Sequence, residues 1–182
     1  MFMTQTEKTL IYLAAAVLCA LMSAVVDVRT RRIPNLITFP ALLAALLLHL
    51  TLDGWKGLLS ALGAGLICGV VFLIFYLAGG MGAGDVKLIA AVGALGGLTN
   101  CGSVLLFTSL AGGIMGLVVA VSRGRLRQIL SNVKAIAGHH QQNGLTPHAN
   151  INVTNDKMLR LPYALAIAAG CSVTLFMFGT QR

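Results

Sequence analysis

The sequence predicts an all-α, polytopic transmembrane bundle of about six helices with its N-terminus outside. Composition, the lengths of the apolar runs and the distribution of basic residues carry that prediction. Of 182 residues, 57% are hydrophobic and only 10% are charged, with a mean hydropathy of +0.87. Such a chain has too little polar surface for a water-soluble domain. The net charge of +8 raises the question of nucleic acid. Yet Lys and Arg fall between apolar runs, with no aromatic-basic stripe beside them, so topology accounts for the charge and no nucleic-acid partner is expected.

Apolar stretches cover residues 9–26, 36–52, 58–78, 86–98, 103–121 and 161–178. At about 20 residues per crossing, the chain has room for one membrane-embedded domain over 1–182 and no second one. The fourth stretch is short, about 20 Å of helix against a core of about 30 Å, so it must be shielded by protein or partly re-entrant. Lys8 ahead of the first run gives it the look of a secretory signal. The run continues to Val26, is followed by three arginines and leads into further spans, so it reads as a retained helix.

With the N-terminus outside and six crossings, the inside segments hold Arg29, Arg31, Arg32, Lys87, Arg123, Arg125, Arg127, Lys134, Lys157 and Arg160. Only Lys8, Lys56 and Arg182 fall outside. This bias orients the chain, with both termini extracytoplasmic. Residues 123–160 are basic and polar and read as a cytoplasmic loop within the domain. His139, His140 and His148 in that loop lack acidic or thiol partners and read as solvated, so no metal is expected. The Asn152-Val153-Thr154 sequon would lie on the wrong side of the membrane for glycosylation and reads as chance.

Cys19, Cys68, Cys101 and Cys171 sit in apolar runs without CxxC spacing, and read as packing residues. Gly65 and Gly69, Gly93 and Gly97, and Gly112 and Gly116 each lie one turn apart. Such small-residue faces let helices approach closely, either within the bundle or in a homodimer.

Five acidic residues are present, and two stand out. Glu7 and Asp53 belong to outside segments and Asp156 to the polar loop, where solvated surface roles suffice. Asp27 ends the first apolar helix, and Asp85 opens the fourth after Gly79-Gly80-Met81-Gly82-Ala83-Gly84. In the predicted topology both carboxylates lie at one depth on the cytoplasmic face. A carboxylate pair can hydrolyse a peptide: one member deprotonates the attacking water while the other, protonated, donates to the carbonyl. Two carboxylates a few ångströms apart supply that asymmetry because they resist double ionisation and share a proton. Which aspartate is acid and which base stays open, with a slight preference for Asp85 as base from its place at a helix start. Gly82 and Gly84 allow backbone conformations closed to other residues and a close approach of substrate. A competing reading makes Asp27 an interfacial residue neutralised by Arg29, Arg31 or Arg32, and Asp85 a helix-start charge beside Lys87.

Asp27 followed by Arg32-Ile33-Pro34-Asn35-Leu36-Ile37-Thr38 resembles the first signature of the type IV prepilin peptidase family. Gly82-Ala83-Gly84-Asp85-Val86-Lys87-Leu88 resembles the second, the GxGD motif, and Leu161-Pro162-Tyr163-Ala164 resembles a Pro-Tyr pair that opens the last helix in many members. The resemblance implies a bacterial inner-membrane aspartyl endopeptidase that removes the short basic leader from prepilin or pseudopilin precursors at the cytoplasmic face. Asp27 and Asp85 would be catalytic. Ile33, Pro34, Asn35 and Thr38 would shape the mouth of the site with Gly82 and Gly84, and Lys87 would lie beside it. No cofactor is implied, and membrane lipids surround the chain.

Larger members carry paired CxxC motifs and methylate the new N-terminus. Their absence here resembles the minimal form of tight-adherence (Flp) pilus systems and points away from N-methylation. Archaeal preflagellin peptidases share the dyad and remain open as a match. A proton-coupled transporter is disfavoured because no acidic residue falls at the bilayer midplane and no inverted repeat is evident. A catalytically silent assembly scaffold is the third reading.

Overall fold

The computed structural model describes residues 3–78, 80–124 and 162–180. Among them are four helices and no strand: α1 (Gln5–Thr30), α2 (Asn35–Leu77), α3 (Ala83–Ser122) and α4 (Tyr163–Thr180). All four are long and apolar enough to cross a membrane. The outside of the bundle presents large apolar side chains such as Leu18, Leu47, Leu66, Ile114, Val118 and Phe176. An apolar coat of this extent suits lipid rather than water. The chain is a multi-pass membrane protein.

Six apolar stretches fall in four helices because α2 and α3 each join two helical segments across a tight break, with no intervening loop. The second and third stretches join in α2 through Gly54 (φ 65°, ψ −151°), and the fourth and fifth join in α3 through Gly97 (φ 70°, ψ 173°). L side chains rarely adopt a φ of this sign, so each glycine makes a break that other residues would resist. Before Gly54, α2 runs in the same direction as the start of α3: Lys87 bonds Asn35, and His49 bonds Leu95. Beyond it the order is antiparallel, with Gly63 against Leu98, Gly65 against Ala94 and Gly69 against Ala90. The chain therefore turns back at Gly54. A straight helix of 43 residues would be about 65 Å long, twice the hydrocarbon thickness.

The short fourth stretch is shielded, as its length requires. From Leu88 to Gly97 every residue except Ala90 is buried, and α3 touches each of the other helices. A helix apolar on all sides belongs at the centre of a bundle. The small residues serve internal packing: a Cβ on Gly93 would lie 2.7 Å from Cys68 Cβ, and one on Gly112 would lie 2.6 Å from Tyr163 Oη. The four cysteines are free and buried, as expected of packing residues. The loop expected over 123–160 lies outside the described residues apart from Arg123 and Gly124, as do His139, His140, His148 and the sequon at Asn152.

Breaking a helix frees backbone groups that lipid cannot satisfy. At Gly97, side chains take them up: Asn100 Nδ2 donates to Gly96 O (2.9 Å), His49 Nε2 lies 3.2 Å from Leu95 O, and Leu98 N–H donates to Ser60 Oγ (3.0 Å). At Gly54, Lys8 Nζ donates to Leu52 O (2.7 Å) and pairs with Asp53 Oδ1 (2.8 Å), while Tyr12 Oη donates to Asp53 Oδ2 (2.7 Å). The Tyr12 and His49 rings stack at 3.8 Å, joining the two sets.

Asp53, expected to be a solvated surface group, is instead half-buried and holds α1 against α2. Charged hydrogen bonds of this kind contribute about 2 kcal/mol, so Lys8→Met should lower stability by about that amount. Lys56→Met, at an exposed position, should leave it unchanged. Unfolding midpoints of the two variants in mixed detergent micelles check this.

Candidate active site

At the end of the bundle opposite to the Lys8–Asp53 pair, the C-terminal turn of α1, the start of α2 and the start of α3 converge. The α1 helix closes on Arg31, whose N–H donates to Asp27 O (2.7 Å) from a left-handed conformation (φ 53°). This cap is usually made by glycine. It turns the chain sharply, and Arg31, Arg32 and Ile33 line one cavity with Asp27. Pro34 then supplies the extended residue (φ −73°, ψ 143°) that precedes α2.

On the other side, Gly82 N–H donates to Asp85 Oδ2 (3.1 Å) and Asp85 N–H donates back to Gly82 O (3.2 Å). This reciprocal pair closes the first turn of α3 and fixes the carboxylate over the helix N-terminus. Gly82 (φ −85°, ψ 152°) adopts ordinary extended backbone, and the positive-φ glycines among the described residues are Gly54, Gly97 and Gly124. The expectation that Gly82 and Gly84 supply unusual backbone conformations is thus corrected: what they supply is space. A Cβ on Gly82 would stand 3.2 Å from Asp85 Oδ2, and one on Gly84 would stand 3.1 Å from Ile33 Cβ.

These elements enclose a cavity of about 300 Å³ lined by both Asp27 and Asp85, with Ile33, Gly82 and Gly84 between them. Asp27 is 8% exposed, and its carboxyl is near enough to Asp85 to act on it electrostatically. The Ala164 N–H, in the first turn of α4, is directed at the Asp27 carboxyl. Each aspartate therefore faces the N-terminal N–H groups of a helix. Among the described residues neither aspartate forms an ion pair, while Arg31 and Arg32 line the same cavity as Asp27 and Asp85 is, as the competing reading has it, a charge in the first turn of a helix.

Of the residues expected around the mouth, Pro34, Asn35, Thr38 and Lys87 stay outside the cavity lining. Lys87 Nζ donates to Asn35 Oδ1 (2.9 Å) and lies 5.9 Å from the Phe39 ring centre, tying the start of α3 to the start of α2. Thr38 is buried, and its hydroxyl has no hydrogen-bond partner among the described residues. Arg31, Arg32 and Ala83 do line the cavity, which the sequence reading did not foresee. Arg32 and Ala83 lie inside the two motifs and Arg31 beside the first, which was the available signal. Among the described residues no three His, Cys, Asp or Glu side chains gather as a metal set.

The profile of the type IV leader peptidase family matches residues 13–117, more than half of the chain and a span containing both aspartates. The chain belongs to the type IV leader peptidase family. It is 40% identical over 119 residues to a prepilin leader peptidase/N-methyltransferase of Bacillus subtilis (strain 168), covering 63% of this chain and 47% of the relative. A protein of the same name from Burkholderia pseudomallei (strain K96243) is 39% identical over 125 residues, covering 63% of this chain and 40% of the relative. The chain thus spans less than half the length of these curated relatives. No solved structure gives a significant match. The family expected from the Ile33-Pro34-Asn35 and Gly82-Ala83-Gly84-Asp85 motifs is the family found.

Within this leader peptidase family member, filling the space that Gly84 leaves should close the cavity. Gly84→Leu is expected to fill the cavity and to lower the unfolding midpoint, because its first added carbon already stands 3.1 Å from Ile33 Cβ. Unfolding curves of the purified variant check this.

Proposed function

We propose that this chain is a membrane aspartyl endopeptidase that removes the short basic leader of type IV prepilin or pseudopilin precursors, of the Flp kind, at the cytoplasmic face of a bacterial inner membrane. The observation that carries the proposal is the convergence of Asp27 and Asp85, distant in sequence, on one cavity at one end of the bundle. In the proposed reaction one carboxylate takes a proton from water, and the resulting hydroxide attacks the scissile carbonyl. The other carboxyl donates its proton to the carbonyl oxygen. Collapse of the tetrahedral intermediate breaks the C–N bond: the leaving amine takes the proton held by the first carboxyl, and the second carboxylate recovers its proton from the diol as the C=O re-forms. The roles of the two aspartates within the pair are interchangeable in this scheme.

The proposed topology has six crossings, with Gly54 and Gly97 as the turns at the outer face and an extracytoplasmic N-terminus. The chain reversal at Gly54 supports it, as does the excess of basic residues in the segments it assigns to the inside. The proposal covers leader cleavage, because both aspartates lie within the region matched by the family profile. Co-expression with a prepilin tests it on a gel. Wild type should shorten the precursor, whereas precursors that all stay full-length beside the wild-type chain would overturn the reading.

A further inference from the structure

The polar cluster at the far end of the bundle has no part in the chemistry just described, yet it joins the two elements that carry the aspartates. Tyr12 lies on α1, the helix of Asp27. Leu95 and Gly97 lie on α3, at the end of the segment that begins with Asp85. His49 of α2 touches both, with its ring stacked on Tyr12 at 3.8 Å and its Nε2 3.2 Å from Leu95 O. A carbonyl only accepts, so Nε2 carries the proton in this contact. His49 is 3% exposed. A Cβ on Gly97 would meet His49 Cε1 at 3.0 Å and Ser60 Oγ at 3.3 Å, so the break in α3 is seated directly on these two side chains.

The physical problem at this point is a helix end buried in protein. The residues before Gly97 leave carbonyls, and those after it leave N–H groups, with no helical partners. Here α2 supplies the caps from outside the helix: His49 for Leu95 O and Ser60 for Leu98 N–H. These bonds tie the end of the Asp85 segment to α2. Tyr12 stands about 22 Å along α1 from Asp27, and Leu95 about 15 Å along α3 from Asp85, so both segments are rods pinned at the end away from the cavity.

We infer that His49 is a positioning residue for the aspartate pair: its bond to Leu95 O and its stack on Tyr12 set the relative tilt of the two rods, and through it the separation of Asp27 and Asp85. For its catalytic readout the inference rests on the peptidase reading above; for its structural readout it does not. Misplacing reacting groups by about 1 Å costs on the order of 10²-fold in rate.

The test compares His49→Phe, which keeps a stacking ring and loses the donor, with His49→Gln, which keeps a donor, in the full chain reconstituted in liposomes. The first readout is disulfide formation between Arg31→Cys and Ala83→Cys, two positions on opposite walls of the cavity. The second is prepilin cleavage. With His49→Phe, cross-linking should slow and kcat should fall about 10²-fold with KM little changed. His49→Gln should restore both most of the way. Ser60→Ala, which strips the acceptor from Leu98 N–H, should move both readouts in the same direction by less, and it serves as the test if His49→Phe does not fold. Wild-type cross-linking and kcat in His49→Phe would overturn the inference, as would a His49→Gln as impaired as His49→Phe. If the wild-type chain cleaves no prepilin, the peptidase reading fails and the cross-link alone decides the role of His49.

Discussion

Replacing Asp27 or Asp85 by asparagine should lower leader cleavage at least about 10³-fold, and the double variant should be no slower than either single one. Asparagine keeps the shape of the side chain and can still bond the Ala164 or Gly82 N–H, so the cavity should survive. What it removes is the ability to hold or release a proton. The two aspartates share a cavity, and in the proposed reaction they work as a unit, so loss of either member should stop the same step. Purified variants, assayed against one precursor alongside their unfolding midpoints, check this. Additive losses would mean two independent sites.

The largest effect on stability is expected at Gly170, on α4. A Cβ there would meet Thr108 Oγ1, with the Thr108 N at 2.5 Å and Cα at 2.7 Å. Two of these atoms are backbone of α3, which cannot swing away as a side-chain tip can. Gly170→Ala must therefore push α4 off α3, at a cost of about 3 kcal/mol. The first turn of the same helix directs the Ala164 N–H at Asp27, so cleavage should fall with stability. Gly102→Ala is the control, since nothing lies within 4 Å of the added carbon. It should match the wild type in an unfolding series in mixed micelles.

The cavity was legible in the sequence because its residues sit in two short motifs, Asp27 with Ile33-Pro34-Asn35 and Gly82-Ala83-Gly84-Asp85, and because each aspartate marks the end of an apolar run. The shielding of the short fourth stretch, observed over residues 88–97, was legible from length alone, since so short a helix cannot face lipid along its whole course. The far cluster was not. A single His49 inside an apolar run carries no periodic or motif signal, and its partners Tyr12 and Leu95 come from other helices. Asp53 read as a surface charge for the same reason: the Lys8 and Tyr12 that bury it lie far away in sequence. The tightness of the breaks at Gly54 and Gly97 was also hidden, because a glycine between apolar residues looks the same whether it bends, breaks or only packs a helix. The backbone angles that distinguish these cases depend on caps supplied by Lys8, His49 and Ser60 from elsewhere in the chain.

The most direct test of the central claim is the mass of the products when the wild-type chain, reconstituted in liposomes, acts on a purified prepilin in water enriched in ¹⁸O. A carboxylate pair that activates water should yield two products, leader and mature pilin, with one heavy oxygen in the new carboxyl group of the leader, and Asp27→Asn and Asp85→Asn should yield neither. Products of the same masses from the Asp27→Asn, Asp85→Asn double variant would contradict the account.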